Sequence, residues 1–400
     1  MRLLKIFSII LILIFPIAEV GRIQFSNGVA ISLNDVFLGL LIIFWVINVI
    51  RTKRNFKKDQ LFKPIVIFSA IGFVSLLLNF VNLSFDKFLI SFLYLIRWVA
   101  YASLYFIFKD FDTKFKLKVN YALLFSGLMV VLLGFTQYFF YPNLRNLYYL
   151  GWDEHLYRLF SSFLDPNFAG AFFALFAVFI VSFMPVLFKK KEWLKLSLLS
   201  GILIATTGAL YLTYSRSALA MFAVAVVCFL ALIGKKKLIV AVLVLMILAI
   251  FVLPKSFKTE GTNFLRATSS ESRISTVREA MTVIQSNPVY GVGFNAYRYA
   301  EYRLGISTGG DWEVSHGGAG TDNSFLFVLA TTGVIGLIGF LYLMYRIICL
   351  GILKRKKNRY ALVLVSSLTG LAVGSIFVNS LFYVFILEWI WMLAALTESN

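Results

Sequence analysis

The chain has 400 residues, of which 60% are hydrophobic and 17% aromatic, with a mean hydropathy of +0.85. That excludes a soluble globular protein, whose residues are only about half apolar. A net charge of +19 would suggest nucleic acid in a soluble protein, but the placement of the basic residues along this chain assigns them to membrane topology and leaves no nucleic-acid partner.

Apolar runs of spanning length, roughly 17 to 25 residues each, fall near 3–20, 32–50, 62–82, 88–108, 119–141, 167–188, 194–213, 217–233, 238–253, 323–348, 360–379 and 381–397. The expected fold is all-α: one polytopic membrane domain over residues 1–400 with about twelve transmembrane helices. Arg2 and Lys5 ahead of the first run resemble a signal peptide, but no small-residue cleavage site follows Val20, so this run is taken as the first span. No period of repetition and no Pro/Ser-rich linker divides the chain. Cys228 lies inside one expected span and Cys349 at the end of another, which supports neither a disulfide framework nor a zinc site.

With Met1 placed in the cytoplasm, the inside loops are 51–63, 109–118, 189–195, 235–237 and 346–359. Together with Arg2 and Lys5 they hold about 25 of the 38 Lys and Arg, the positive-inside asymmetry. Both termini are then cytoplasmic. Arg22, Lys87, Arg145, Arg158 and Arg216 fall outside with two polar islands, and this set is dominated by arginine, whose planar fork suits phosphate or carboxylate.

The smaller island, 141–165, carries Arg145, His155 and Arg158. The larger, 254–321, is expected as an extracytoplasmic loop between spans 9 and 10, and holds Arg266, Arg273, Arg278, Arg298, Arg303 and His316. Within it Thr268 and Glu271 have the spacing of a capping box. Ile274, Val277, Met281 and Ile284 then recur at helical spacing up to the stop signal Asn287-Pro288. The expected amphipathic helix carries Arg273 and Arg278 on its polar face, either as a phosphate site near its amino end or as solvated charges of a surface lid. Gly291-Val292-Gly293 after it suits a tight turn but lacks the third glycine of a dinucleotide loop.

Four stretches in order carry a resemblance: Arg158-Leu-Phe-Ser-Ser-Phe-Leu-Asp-Pro-Asn167; Ser215-Arg216-Ser217; Arg273, fifteen residues ahead of Pro288-Val-Tyr-Gly-Val-Gly293; and Asp322-Asn-Ser-Phe-Leu326 followed by Thr331-Thr-Gly-Val-Ile-Gly336. Their order, and the large loop between the second and fourth, resemble the O-antigen ligase and polymerase superfamily of bacterial membrane glycosyltransferases over most of residues 120–380. The resemblance implies transfer of a glycan from an undecaprenyl-diphosphate donor to an acceptor on a glycan or lipid; as no cluster of His, Asp and Glu in the sequence suggests a metal, the transfer is expected to be metal-independent and without cofactor. The reaction would take place on the outer face of the cytoplasmic membrane, among membrane lipids. It also implies Arg216 and Arg273 as the pair that binds the diphosphate; Arg278 and Arg158 are further candidates from the residues themselves.

Where ligases of that family show His-Asn at the start of the span after the loop, this chain has Asp322-Asn323, a form that resembles polymerases more. The base that deprotonates the acceptor hydroxyl is then Asp322 or His316, and Asp322 is equally suited to cap the following helix. The alternatives to a polymerase are a ligase moving finished polysaccharide to another acceptor, and a non-enzymatic flippase using the same arginines to bind phosphate. Arg97 and Glu388, the charges deepest in expected spans, read as a buried ion pair. Asp110-Phe-Asp112 has metal-binding spacing but sits among cytoplasmic lysines. The aromatic residues are expected mainly in interface belts.

Overall fold

The computed structural model describes residues 1–25, 29–150, 152–252, 262–263, 268–307, 312 and 320–398. Every apolar run of the sequence falls on a helix. In chain order these are α1 (Arg2–Ile14), α2 (Leu33–Thr52), α3 (Phe62–Leu78), α4 (Phe85–Lys109), α5 (Thr113–Phe140), α6 (Pro166–Val181), α7 (Met184–Lys189), α8 (Trp193–Leu212), α9 (Arg216–Leu232) and α10 (Lys236–Val252). After them come α11 (Thr268–Ser286) and α12 (Tyr297–Arg303) in the large polar island, then α13 (Ser324–Lys354), α14 (Arg359–Gly374) and α15 (Val384–Glu398).

Among the described residues seven helices are long and apolar enough to cross a membrane, and α3, α9 and α14 are shorter apolar helices. The protein is an all-α membrane protein. Among the described residues the strands form one small antiparallel ribbon, β1 (Arg22–Gln24) with β2 (Ala30–Ser32), which pairs Ile23 with Ile31.

The core forms where α9 packs on α14, α4 on α15, and α6 against both α8 and α9. Many of the aromatic residues go there rather than to an interface belt. Trp389 is buried, with the rings of Phe172, Phe176 and Phe179 edge-on at 5.2, 6.2 and 5.4 Å and Phe15 at 6.2 Å. Edge-to-face packing of this kind uses the ring quadrupole as well as buried area.

One end of the bundle collects the basic loops. Lys5 pairs with Asp112, Arg54 with Asp59 (3.1 Å) and Asp110 (2.9 Å), and Lys109 bridges Asp59 and Glu398 at 2.6 Å each. Asp110 and Asp112 are thus taken up by cationic partners. The carboxyl end of α13 lies at the same end, where Arg346 reaches the Gln60 carbonyl (3.5 Å), so the amino ends of α13 and α9 lie at the other.

Arg97 and Glu388 do not pair, contrary to the sequence expectation. Arg97 makes a two-pronged bond to Asp35 at 2.8 and 2.6 Å, where the Tyr101 hydroxyl also donates (3.0 Å), while Glu388 accepts from Asn34 (2.9 Å). Hydropathy hid Asp35 because it sits in the first turn of α2, where it completes a capping box with Ser32. From there it meets the long Arg97 side chain before Glu388 can.

The longest helix is broken. Gly333 has φ +66° and ψ −171° inside α13, leaving backbone groups on both sides of the break without helical partners. The segment 288–293 satisfies them: Val292 and Gly293 donate to the Ala330 and Thr331 carbonyls (2.9 and 3.0 Å), and Val334 and Ile335 donate to the Pro288 and Val289 carbonyls (2.9 and 3.4 Å). Ser75 and Asn79 of the α3 end tie down the Tyr290, Thr331 and Gly291 carbonyls at 2.7 to 2.8 Å. Irregular backbone at membrane depth is tolerated only when protein satisfies it in this way.

Candidate functional site

Three elements outside the core carry the candidate side chains to one place. The first is the turn between α8 and α9. Tyr214 there holds a left-handed φ of +50°, and Ser215 caps α9 by accepting from the Ala218 N–H while its hydroxyl donates to Asn167 (2.9 Å) at the start of α6. A strained non-glycine residue followed by a doubly held cap fixes Arg216 as the first residue of α9.

The second element is α11. The side chains of Thr268 and Glu271, expected as its capping box, lie outside the described residues, as do Arg266 and His316. Its buried face is Ala280, Val283 and Ile284, packed on Phe327 and Ala330 of α13. Ile274, Val277 and Met281 are instead exposed, at 55%, 41% and 43%. The expected apolar face is therefore split, with its first half left uncovered beside Arg273 and Arg278.

The third element is the entry to α13. The cap of this helix is Asn323, which accepts from the Phe325 and Leu326 N–H groups (2.9 and 3.1 Å). Asp322 does not fill that role. Ser324 fixes the position of the entry: its N–H donates to Ser375 (2.9 Å) and its hydroxyl to Asn379 (2.9 Å), just past α14.

These elements enclose a cavity of about 670 Å³ lined by Arg216, Ser217 and Ala220 of α9, residues 273–274 and 276–278 of α11, Thr321, Asp322 and Asn323, and Ile376 and Phe377. Arg216, Arg273, Arg278 and Asp322, read separately from the sequence, thus line one cavity. Arg273 stands 5.7 Å over the Phe377 ring. Burial holds its guanidinium below the usual range, Asp322 works the other way, and the charge of Arg216 pushes it down further. The Asp322 side chain opens into the cavity, yet burial pushes its carboxyl above the ordinary range; Arg273 opposes the rise, and Asp165 and Asp153 add to it. The amino ends of α9 and α13 both face the cavity, adding two positive dipole ends to the three arginines.

Arg158 does not line this cavity. It is buried, and its Nε donates to the Thr213 carbonyl (2.9 Å), three residues before Arg216. His155, for which the sequence suggested no role, comes within 3.7 Å of Asp165, and burial pushes its imidazole below the usual value. The only sequence signal for it was that both histidines of the chain fall in polar islands.

A region that, among the described residues, brings many cationic hydrogen-bond donors, a single carboxylate and an exposed apolar wall together can hold an anion that carries a long apolar group. No curated protein matches the chain. Residues 201–341, which carry Arg216, Arg273, Arg278 and Asp322, match the family model described as O-antigen ligase, which supports the resemblance of the chain to the O-antigen ligase/polymerase superfamily.

Proposed function

We propose that the protein is a membrane glycosyltransferase that moves a glycan from an undecaprenyl-diphosphate carrier to an acceptor hydroxyl at the extracytoplasmic face of a bacterial inner membrane. The observation that carries this reading is the meeting of Arg216, Arg273 and Arg278 with Asp322 in one cavity whose wall includes the exposed Ile274, Val277, Ile376 and Phe377. A transferase working outside the cytoplasm has no nucleotide sugar to draw on, so a lipid-linked donor suits both its location and that apolar wall.

In this reaction the acceptor oxygen attacks the anomeric carbon of the donor sugar as the bond from that carbon to the diphosphate oxygen breaks. Asp322 takes the hydroxyl proton. The electron pair leaves with the diphosphate, whose growing charge is stabilised by Arg216, Arg273 and Arg278 and by the two helix ends. Arg158 acts at one remove, holding the turn that aims Arg216. The charge count supports this side of the membrane, since the arginine cavity lies at the end of the bundle away from the basic loops.

The Asp322-Asn323 pair favours a polymerase that lengthens the glycan on its carrier. A ligase is the second reading, favoured by the family description that residues 201–341 match. Purified protein in lipid, supplied with an undecaprenyl-diphosphate oligosaccharide, should give a ladder of longer glycans as a polymerase, or a glycan on a different acceptor as a ligase. An unchanged oligosaccharide would make the protein a transporter. Arg216→Ala and Arg273→Ala should each abolish turnover while the protein stays folded; full activity in both variants removes these arginines from the mechanism.

A further inference from the structure

The arginine cavity accounts for one substrate, yet a transfer reaction needs a place for two. A second cavity of about 420 Å³ adjoins it and shares Arg273, Thr321, Asp322 and Phe377. We propose that this second cavity receives the acceptor saccharide, so that the donor diphosphate and the acceptor hydroxyl approach Asp322 from opposite sides. The inference rests on the glycosyl-transfer reading of the arginine cavity and adds the second substrate to it.

The two cavities differ in chemistry. The arginine cavity sets three guanidinium groups against one carboxylate, a field suited to an anion. In the second cavity Arg22 and Arg97 are already paired, with Glu19 (3.3 Å) and Asp35 (2.6 Å), and the carboxylates of Asp153 and Asp165 line the wall, Asp165 lying 3.7 Å from His155. What remains is a wall of mixed donors and carboxylate acceptors with no surplus of guanidinium groups, which matches sugar hydroxyls, since each of them both donates and accepts. Burial pushes the His155 imidazole down, so at neutral pH it too offers one donor and one acceptor.

The wall also carries aromatic faces. Trp152 and Tyr94 line it, with the Arg22 guanidinium 5.8 Å from the Trp152 ring. Apolar ring faces among a few convergent polar groups are what a compact, hydroxyl-rich ligand needs. The segment that brings Trp152, Asp153 and His155 here is held at a cost. His155, Tyr157, Ser161 and Leu164 all have left-handed φ, between +47° and +56°. Gln137 holds the middle of this segment by accepting from the Phe160 and Ser161 N–H groups (2.8 and 3.1 Å). Strain of about 1–3 kcal/mol per residue gathers at ligand sites, where the surroundings over-determine the backbone. Asp153 and Asp165 both act on the Asp322 carboxyl across this space, which places the second cavity at the reacting group. Trp152, Asp153, His155 and Tyr94 all lie outside the stretch 201–341. The wall of the acceptor site away from Asp322 is thus built largely from residues outside that stretch, while Arg273, Thr321 and Asp322 belong to both cavities.

The test uses the full chain in lipid nanodiscs. The donor is undecaprenyl-diphosphate-linked glycan extracted from the source cells. The same glycan, released from its carrier by mild acid, serves as soluble acceptor, and initial rates give a KM for each. Trp152→Ala should raise the acceptor KM about tenfold and leave the donor KM within about twofold. Trp152→Phe should restore most of the loss. Tyr94→Phe, which removes one hydroxyl and keeps the ring, should raise the acceptor KM by a smaller factor. An acceptor KM unchanged in both Trp152→Ala and Tyr94→Phe, or a rise in the donor KM instead, overturns the proposal. Those outcomes leave the arginine cavity untouched, whereas full activity of the Arg216 and Arg273 variants overturns the donor reading whatever Trp152 does.

Discussion

Asp322 is the residue whose chemistry depends most on its surroundings. Burial holds its proton on above the ordinary carboxylate range of about 4, Arg273 opposes that, and Asp165 and Asp153 reinforce it. A base works only when ionised, so the rate should fall as pH falls through this raised value. Asp153→Asn removes a negative charge, eases ionisation, and should move the acid limb of the pH–rate profile to lower pH. A limb that stays in place or moves up would separate Asp322 from the proton transfer. Arg216, Arg273, Arg278 and Asp322 were legible in the sequence because each stands at a motif or beside a helix start. That they share a cavity was not legible, since α9, α11 and the entry to α13 are brought together by contacts far apart in the chain. Arg97 shows the same limit: its partner, Asp35, was hidden as a helix cap, and only the packing of α2 on α4 reveals it.

At the scale of elements, the break in α13 explains why two glycine motifs belong together. A Cβ at Gly333 would run into the Val289 carbonyl, and one at Gly291 into the Thr331 and Thr332 backbone. Their positive φ values, +66° and +70°, add to the conflict. Gly333→Ala should therefore cost at least about 1–3 kcal/mol, seen as a lower unfolding temperature in lipid with loss of turnover. Gly39→Ala, whose added methyl meets nothing within 4 Å, should leave both unchanged. Equal stability of the two variants would mean that segment 288–293 does not brace the break. The sequence suggested a turn at Gly291-Val292-Gly293 but gave no sign that the turn repairs a helix more than thirty residues away, because hydropathy records burial and not backbone pairing. For α11 the helical period was legible, but which side faced protein was not: α13 covers Ala280, Val283 and Ile284, and Ile274 and Val277 remain beside the arginines.

Across the whole molecule, the basic loops gather at one end of the bundle and the arginine cavity opens at the other, so the division of lysine and arginine along the chain follows the geometry of the fold. Helix positions were legible because a bilayer demands long apolar runs; the two adjoining cavities were not, because their walls come from residues 19 to 387. The central claim is that Arg216 and Arg273 grip a lipid-linked diphosphate, and it is tested most directly by binding of undecaprenyl diphosphate alone to the full chain in nanodiscs, by native mass spectrometry. Charge-assisted hydrogen bonds contribute about 1.5–3 kcal/mol each, so the Arg216→Ala, Arg273→Ala double variant should bind at least about a hundredfold more weakly than the parent, with unchanged stability. Equal affinity in the two proteins would contradict the account.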